Sequence, residues 1–317
     1  RGQIRTENGM LGLTVDAIMQ QLQSGDGDMT YDVTIPPAIL SMLTAQGDDK
    51  LMTVSSGNTN FIFINTVSGN NNGALKDLKV RQALNYAVDK AAIVQQIGGP
   101  AIAKPVNGIF GLGVLGYHEF DLYPSADAKG DPEKAKALLA EAGFPNGITL
   151  KMPFRNKGNE PAVAQTIQAS MAKAGITLEL TPVAPADYYS KFMTNPVNTQ
   201  EGTWDIAPVG WTPDWAGGSA RSVFQPQFSY DGTHQTYNYT DYNNDKANEL
   251  AQQAINATTP EEVGALWAQV DELVMADAPV VPLIANLIVL YHGAAVQNFQ
   301  PYSIGVQGDW TNVWLQQ

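Results

Sequence analysis

The sequence contains no cysteine, and its three histidines, His118, His234 and His292, lie far apart along the chain. The lack of thiols excludes disulfides, thiolate nucleophiles and thiolate metal ligands. No H-x-x-x-H or H-E-x-x-H spacing occurs that would bring two imidazoles to one metal ion, and no G-x-S-x-G motif presents a nucleophilic serine. We therefore expect neither a metal nor any other cofactor, and no motif indicates nucleophilic catalysis.

Positive charge is scarce. The chain has 18 Lys and Arg against 31 Asp and Glu, which gives a formal net charge of −13. A chain of this charge repels phosphate backbones, so we do not expect nucleic acid as a partner. Solubility is the simpler interpretation of the acidic residues, because net charge bears on solubility more directly than on the choice of ligand.

No hydrophobic run is long enough to span a membrane. The most apolar stretch, 278–296, is interrupted by Pro279, Pro282, Asn286 and His292. Its dense apolar part is about a dozen residues, against the roughly 20 that a bilayer requires. We predict two buried strands there, PVVPLI and LIVLYH. The chain begins RGQIRTENG, without Met or a signal-peptide hydrophobic region, so we expect the targeting segment to be absent from this chain.

The residues that are present indicate a turn-rich globular protein of about two domains: 317 residues, 44% hydrophobic, with 29 Gly and 19 Pro. ITLKMPF, VAQTIQASMAKAG and ITLELTPV predict a strand, a helix and a strand, which favours a parallel pair with a crossover helix. Apolar spacing predicts one long helix over 75–97. The glycine-rich segment GIFGLGVLG (108–116) is predicted to be a flexible loop.

The segment WDIAPVGWTPDW (204–215) places Asp214 among three tryptophans. One interpretation is a core strand that ends in an exposed turn, and this is the one we favour for Trp204. The other is the wall of a ligand pocket, formed by Trp211 and Asp214. A buried carboxylate is unfavourable without a partner, and a ligand ammonium would supply one, with an indole face adding a cation–π contribution.

Paired carboxylates near tryptophans also occur in glycoside hydrolases. Glu201, Asp205 and Asp214 are the candidates here. Because Asp205 directly follows Trp204 in a predicted strand, alternation would direct these two side chains to opposite faces. We keep the hydrolase as the alternative from another functional class.

Four segments occur in a recognisable order: LKDLKVRQALNYAVDKAAIV, GDPEKAKALLAEAGFPNGITLKM, WDIAPVGWTPDW and EEVGALWAQVDELVMADAPVVPL. This order resembles the C-terminal part of an extracellular solute-binding protein of family 5, the dipeptide, oligopeptide and nickel receptors of ABC importers. VRQALNYAVDK, with Arg81 and Asp89, is the most specific motif, and the similarity covers nearly all of the chain.

The resemblance implies an α/β, two-lobed fold of the periplasmic-binding-protein type (type II, cluster C), with mixed sheets flanked by helices. The N-terminal part of that fold is expected to be lacking here. Residues 1–64 would form part of the first lobe, 65–286 the second lobe, and 287–317 the return to the first lobe.

The resemblance also implies a site. In peptide-binding members, a tryptophan and an aspartate three residues later follow a strand of the second lobe, and the aspartate holds the ligand α-ammonium. Trp211 and Asp214 match this pattern, and Gly210 precedes them on the same strand. A family aromatic in the preceding helix matches Tyr188 or Tyr189. Trp215 departs from the family pattern, and we include it among the candidate ligand-binding residues without assigning it a contact.

The implied function is that of a non-catalytic component of a bacterial ABC importer that binds peptides. Its partners would be a peptide or other small-molecule ligand and a membrane ABC permease. We expect a monomer outside the cytoplasm, periplasmic or lipid-anchored at the outer face of the membrane. Within the same fold, a nickel chelate, an oligosaccharide or an opine is the alternative ligand.

Overall fold

The computed structural model describes residues 6–7, 15–30, 35–214, 219–230, 232, 237–301 and 311–316, which form a mixed α/β fold. The helices are α1 (Val15–Ser24), α2 (Pro37–Gln46), α3 (Asn70–Gly73), α4 (Leu78–Ala87), α5 (Lys90–Ile97), α6 (Pro132–Glu141), α7 (Glu160–Lys173), α8 (Pro185–Asp187), α9 (Pro196–Gln200), α10 (Ala220–Phe228), α11 (Asp245–Asn256) and α12 (Pro260–Asp277). The strands are β1 (Thr6–Glu7), β2 (Met29–Thr30), β3 (Leu51–Ser55), β4 (Thr59–Ile64), β5 (Ala103–Pro105), β6 (Ile148–Arg155), β7 (Ile176–Val183), β8 (Ile206–Trp211), β9 (Val280–Tyr291), β10 (Val296–Gln297) and β11 (Trp314–Leu315). No helix in these ranges is long and apolar enough to cross a bilayer.

The central sheet is antiparallel, in the order β3-β9-β4-β8, with β5 also paired to β9. Strand β4 is buried on both faces, which explains its unbroken apolar sequence FIFI. Phe61 and Phe63 enter the core formed with β8 and α10–α12, whereas Ile62 and Ile64 enter the core formed with α4–α7, β6 and β7. The alternation of side chains along one strand therefore separates two cores.

The predicted strand–helix–strand unit is confirmed. Strands β6 and β7 pair in parallel from Ile148↔Ile176 to Arg155↔Val183, and α7 connects them. Buried side chains of α7, including Ile167 and Met171, cover the pair. Each β-strand alternates a buried residue with an exposed one near its start, as expected for a sheet that is covered mainly on one face.

The long helix predicted over 75–97 is wrong, because the chain forms two helices there. Val88 has extended backbone angles, and the Asp89 carboxylate accepts a hydrogen bond from the Ala92 N–H at 2.8 Å. Asp89 thus acts as the N-cap of α5 and fixes a new helix start. Arg81, the other marker of this motif, donates to backbone carbonyls, including that of Asp277, so both residues have structural contacts.

The prediction of two separate strands in 279–292 is also wrong, because these residues form the single strand β9 of 12 residues. Pro282 lies within it, opposite Phe61, and the register shifts between Asn60 and Phe61. This irregularity places an additional residue, Leu283, beside the proline. A bulge accommodates a proline inside a sheet because the ladder bond that proline cannot donate is already interrupted.

The flexible loop predicted at 108–116 is instead packed into the core. Ile109 and Phe110 are fully buried. A Cβ on Gly108 would lie 2.3 Å from the Asp271 Oδ2, and a Cβ on Gly116 would lie 2.4 Å from the Trp267 Cβ. The glycines therefore permit close contact with α12 rather than mobility.

Asp271, on α12, is a fully buried carboxylate beneath this loop. Its Oδ1 accepts a hydrogen bond from the Ile109 N–H at 2.7 Å, and its Oδ2 has no partner among the described residues. Burial raises the pKa of the Asp271 carboxyl from 3.8 to about 7, and the N–H groups of Ile109 and Phe110 offset only part of this effect.

We expect the stability of this protein to fall, relative to an Asp271→Asn variant, as pH rises from about 4 to about 7. Because the folded pKa lies above the unfolded one, the folded state retains a proton over this range that the unfolded state has released. Guanidinium unfolding of both proteins at several pH values measures the difference. A difference in the free energy of unfolding that is independent of pH would contradict this expectation.

Strand β9 joins two packing units. The first packing unit contains two hydrophobic clusters. In one, side chains of α1 and α2 pack with Tyr291, and in the other, Met29 packs with apolar residues of 290–299. The second packing unit contains the two cores on either side of β4. Residues 280–284 of β9 pair with β4, and 287–291 pair with β3. Among the described residues, the strands of the two units are connected at 56–58 and at 285–287, which we call the crossing segments. The boundaries 64/65 and 286/287 stay predictions.

Candidate functional site

A cavity of about 510 Å³ lies between the two packing units. The first unit contributes α2 and the end of β9, with Leu40 and Val289, and the second contributes β4, the end of β6, α7 and β8. The polar residues on its wall are Asn60, Arg155, Asn159, Glu160, Tyr189 and Asn286. The other lining side chains are apolar, and apolar side chains combined with a few polar groups are the usual lining of a small-molecule site.

The charged part of the wall is an ion pair. Arg155, the last residue of β6, donates from Nε to Glu160 Oε2 at 2.8 Å and from Nη2 to Glu160 Oε1 at 2.5 Å. Glu160 begins α7, where the helix dipole favours a negative charge. The Arg155 guanidinium also lies 5.4 Å from the centre of the Tyr189 ring. The hydrogen bonds that Arg155 donates to Glu160 raise the pKa of the guanidinium, so Arg155 stays charged.

Tyr188 and Tyr189, between which the resemblance does not choose, lie in different environments. Both belong to a π-helical turn, Tyr188–Met193, and their rings meet edge to face at 5.0 Å. Tyr188 is buried in the core, and its hydroxyl donates to the Pro208 carbonyl at 2.7 Å. Only Tyr189 lines the cavity. Burial raises the pKa of both phenols, so both remain neutral.

Gly210 lines the cavity on β8, directly opposite Asn60 on β4. A Cβ on Gly210 would lie 2.8 Å from the Asn60 Oδ1. The missing side chain therefore leaves room for the Asn60 amide on the cavity wall.

We expect Gly210→Ala to displace the Asn60 amide and to lower the free energy of unfolding by about 1–3 kcal/mol, the usual range for overpacking. Gly69→Ala is the matched control, because a Cβ on Gly69 would meet no atom within 4 Å. Thermal unfolding measures both variants. Equal stability of Gly210→Ala and Gly69→Ala would contradict this expectation, because it would mean that the Asn60 amide moves aside at no cost in stability.

Trp211 and Asp214 do not line the described cavity, and both are held instead by Ser222 on α10. The Trp211 indole Nε1 donates to the Ser222 carbonyl at 2.8 Å, and the Asp214 N–H donates to the Ser222 Oγ at 3.1 Å. The Trp211 ring is half-buried and meets the Tyr237 ring at 5.1 Å. Asp214 is exposed, and no cation within the described ranges pairs with its carboxylate. Trp215 lies outside the described residues.

Trp204 and Asp205 are both structural. Trp204 is fully buried, which confirms the core interpretation. Asp205 is buried too, and its carboxylate accepts hydrogen bonds from Ser68 Oγ at 2.8 Å, Asn70 Nδ2 at 2.9 Å and the Lys151 N–H at 2.9 Å. These contacts join the start of β8 to β6 and to the turn at α3. Both side chains are buried, Trp204 in the core that includes α10–α12 and Asp205 in a polar niche beside β6, just before β8 begins.

Sequence reasoning missed Arg155, Glu160 and the asparagines. The run MPFRNKGNE places Arg155 and Glu160 on either side of a turn between a strand and a helix, which was a detectable signal for a salt bridge at a strand end. Asn58 and Asn286 gave no signal, because 228 residues separate them.

Comparisons place this geometry among known proteins. The family model for bacterial extracellular solute-binding proteins, family 5, middle region, matches residues 13–220, about two-thirds of the chain. The chain is 28% identical over 272 residues to heme-binding protein A of Haemophilus influenzae, covering 83% of this chain and 45% of the relative.

Two solved structures have the same fold. HbpA2 from Haemophilus parasuis superposes with a TM-score of 0.77 at 26% identity, over 96% of this chain and 57% of that one. The periplasmic binding protein DppA from Helicobacter pylori, in complex with peptide STSA, gives a TM-score of 0.69 at 22% identity, over 96% of this chain and 56% of that one. The periplasmic-binding-protein fold is thereby confirmed.

The chain spans about half the length of the curated relatives it matches. The match over 13–220 nevertheless covers the strand–helix–strand unit, most of the cavity wall and β8 with Trp211 and Asp214. This chain belongs to the bacterial extracellular solute-binding proteins of family 5.

Proposed function

We propose that the protein containing this chain is the substrate-binding component of a bacterial ABC importer, and that it binds peptides between its lobes without catalysis. The observation that carries the proposal is the cavity between the two packing units, which is lined by Arg155, Glu160, Tyr189, Gly210 and three asparagines. Groups of both charge signs and amide groups suit a zwitterionic ligand with peptide bonds.

Asp214 is the group that we assign to the ligand α-ammonium. Its carboxylate is exposed, whereas its backbone is fixed by Ser222. A charge-assisted hydrogen bond to an ammonium contributes about 1.5–3 kcal/mol. Trp211, three residues earlier, would then offer part of its ring to the same cation. Tyr189 and Gly210 would contact the ligand from the cavity wall.

The names of relatives support a small-molecule receptor and differ in the ligand. One matched structure holds a peptide, and one relative is named for heme. We favour peptides because the polar wall combines a carboxylate, a guanidinium and amides. A glycoside hydrolase is not favoured, because Asp205, one of its candidate acids, is buried and accepts three hydrogen bonds from the protein itself.

The partner, the location and the oligomeric state are proposed from this function and from the family. We propose a membrane ABC permease as partner and a location outside the cytoplasm, either periplasmic or lipid-anchored, with the receptor acting as a monomer. We further propose that the lobes meet at the crossing segments 56–58 and 285–287, where β9 changes its pairing partner.

Calorimetry of the complete natural protein with a mixture of short peptides tests the proposal, with the same peptides N-acetylated as the control. We expect binding of the free peptides and at least about tenfold weaker binding of the acetylated ones, since acetylation removes the ammonium. Binding of oligosaccharides without peptide binding, or release of chromophore from chromogenic glycosides, would contradict it.

A further inference from the structure

The side chain of Asn58 uses every hydrogen-bonding position that an amide offers. Its Nδ2 donates to the Trp211 carbonyl at 2.9 Å and to the Thr212 Oγ1 at 3.1 Å. Its Oδ1 accepts from Asn60 Nδ2 at 2.9 Å and from Asn286 Nδ2 at 3.1 Å. Two donors and two acceptor positions are the full capacity of the group. One residue thus connects β4, β9 and the end of β8.

Asn58 lies in the first crossing segment, and Asn286 lies in the second. The Ser56 Oγ also joins the two segments, since it donates to the Asn286 carbonyl at 2.7 Å. Within the first segment, the Asn58 N–H donates to the same Ser56 Oγ at 3.1 Å. Gly57, at φ +66°, sits against Pro213, since a Cβ there would lie 3.3 Å from the Pro213 Cγ. The turn between β3 and β4 therefore touches the segment that follows β8.

The segment from Trp211 to Asp214 is held from its other side by Ser222, as described above. It therefore lies between α10 and the crossing segments, with hydrogen bonds to both. Rotation of the Asn58 amide breaks at least two bonds at once, because its four partners lie in three different strands or strand ends. A fully satisfied polar network of this kind favours one arrangement over intermediate ones.

We propose that Asn58 is a positioning residue that couples the two crossing segments to the Trp211–Asp214 segment, so that bending at the crossings and the position of Asp214 change together. The assignment of Asp214 as the residue that binds the ligand ammonium rests on the proposed function. The coupling is a property of the unliganded protein, so its test and the calorimetric test above can fail independently.

Asn65 provides a matched control at the other end of β4. Its Nδ2 donates to the Thr199 carbonyl at 2.8 Å and to the Trp204 carbonyl at 2.9 Å, and its Oδ1 accepts from the Val67 N–H at 3.3 Å. Asn65, like Asn58, joins β4 to a flank of β8. All of its partners lie inside the second packing unit, away from the crossing segments.

Hydrogen-exchange mass spectrometry of the complete protein without ligand tests the coupling in Asn58→Asp and Asn65→Asp. Aspartate keeps the size of the side chain and removes both N–H donors. We expect Asn58→Asp to accelerate exchange about tenfold or more in 55–58, 211–214 and 285–287 together. Asn65→Asp should accelerate exchange in 199–206 and leave 55–58 unchanged. Acceleration by Asn58→Asp that is confined to 55–58 would overturn the proposal.

Milder variants keep the test decisive if Asn58→Asp does not fold. Asn286→Ser removes one bond to Asn58, and Thr212→Val removes another. In the double variant Asn286→Ser/Thr212→Val, the acceleration of exchange at 211–214 should be smaller than the product of the two single accelerations, because both bonds restrain the same Asn58 amide. Effects that multiply in full would show that the two ends act independently and would overturn the proposal as well.

Discussion

The Asp214→Asn variant of the complete protein is expected to bind trialanine about 100-fold more weakly than the wild type. Losing one partner of a desolvated, hydrogen-bonded charge pair costs about 2–5 kcal/mol, and each 1.4 kcal/mol corresponds to a factor of ten. The Asp214 carboxylate is exposed, and no cation within the described ranges pairs with it. The ligand ammonium would be its partner.

Thermal stability should be unchanged in Asp214→Asn, because an exposed acid without a partner contributes little to folding. Asp16→Asn is the matched control, since it removes the same charge from an exposed position on α1. Calorimetry should show full affinity in that control. Wild-type affinity in Asp214→Asn would mean that the ammonium, if bound at all, is bound elsewhere.

The Asp205→Ala variant is expected to lose about 3–5 kcal/mol in the free energy of unfolding. Three donors, from Ser68, Asn70 and Lys151, would remain buried around the space of the missing carboxylate. Each unpaired buried donor costs about 1–3 kcal/mol, and the three costs are not fully additive. The variant should show no specific loss of ligand affinity in the molecules that remain folded.

Guanidinium unfolding measures this loss, with Glu201→Ala as the control. Glu201 lies four residues earlier and is exposed, so its replacement should stay within about 0.5 kcal/mol of wild type. Equal stability of the two variants would contradict a structural role for Asp205 and would reopen the hydrolase alternative that pairs it with Asp214.

The sequence predicted the elements that local patterns determine. The strand–helix–strand unit, with β6, α7 and β7, follows from apolar periodicity and short turns. The run TPEE at the start of α12 is a local signal of the same kind, since Thr259 Oγ1 accepts from the Glu262 N–H at 3.3 Å as the helix N-cap. These features depend on residues that are close together in the chain.

The errors arose where a distant contact decides the structure. Pro282 indicated a break between two strands, yet pairing with β4 carries β9 through a bulge at that position. The glycines of 108–116 indicated flexibility, yet Gly108 and Gly116 are required by the closeness of α12. A single sequence does not reveal which helix will approach a given glycine.

Only part of the candidate site could be predicted from the sequence. Trp211 and Asp214 were reached through the resemblance, whereas the residues alone left both a core turn and a pocket wall as interpretations of this segment. Asn58 and Asn286 meet only because β3, β4 and β9 pair in one sheet. Such a network depends on the register of strands that are far apart in the chain.

Native mass spectrometry of the complete protein as purified tests the peptide-binding claim most directly. We predict a bound species whose mass matches one or more short peptides, lost on denaturation and identified by fragmentation, with a reduced amount in Asp214→Asn. A bound heme, oligosaccharide, opine or nickel chelate in place of peptide would contradict the claim.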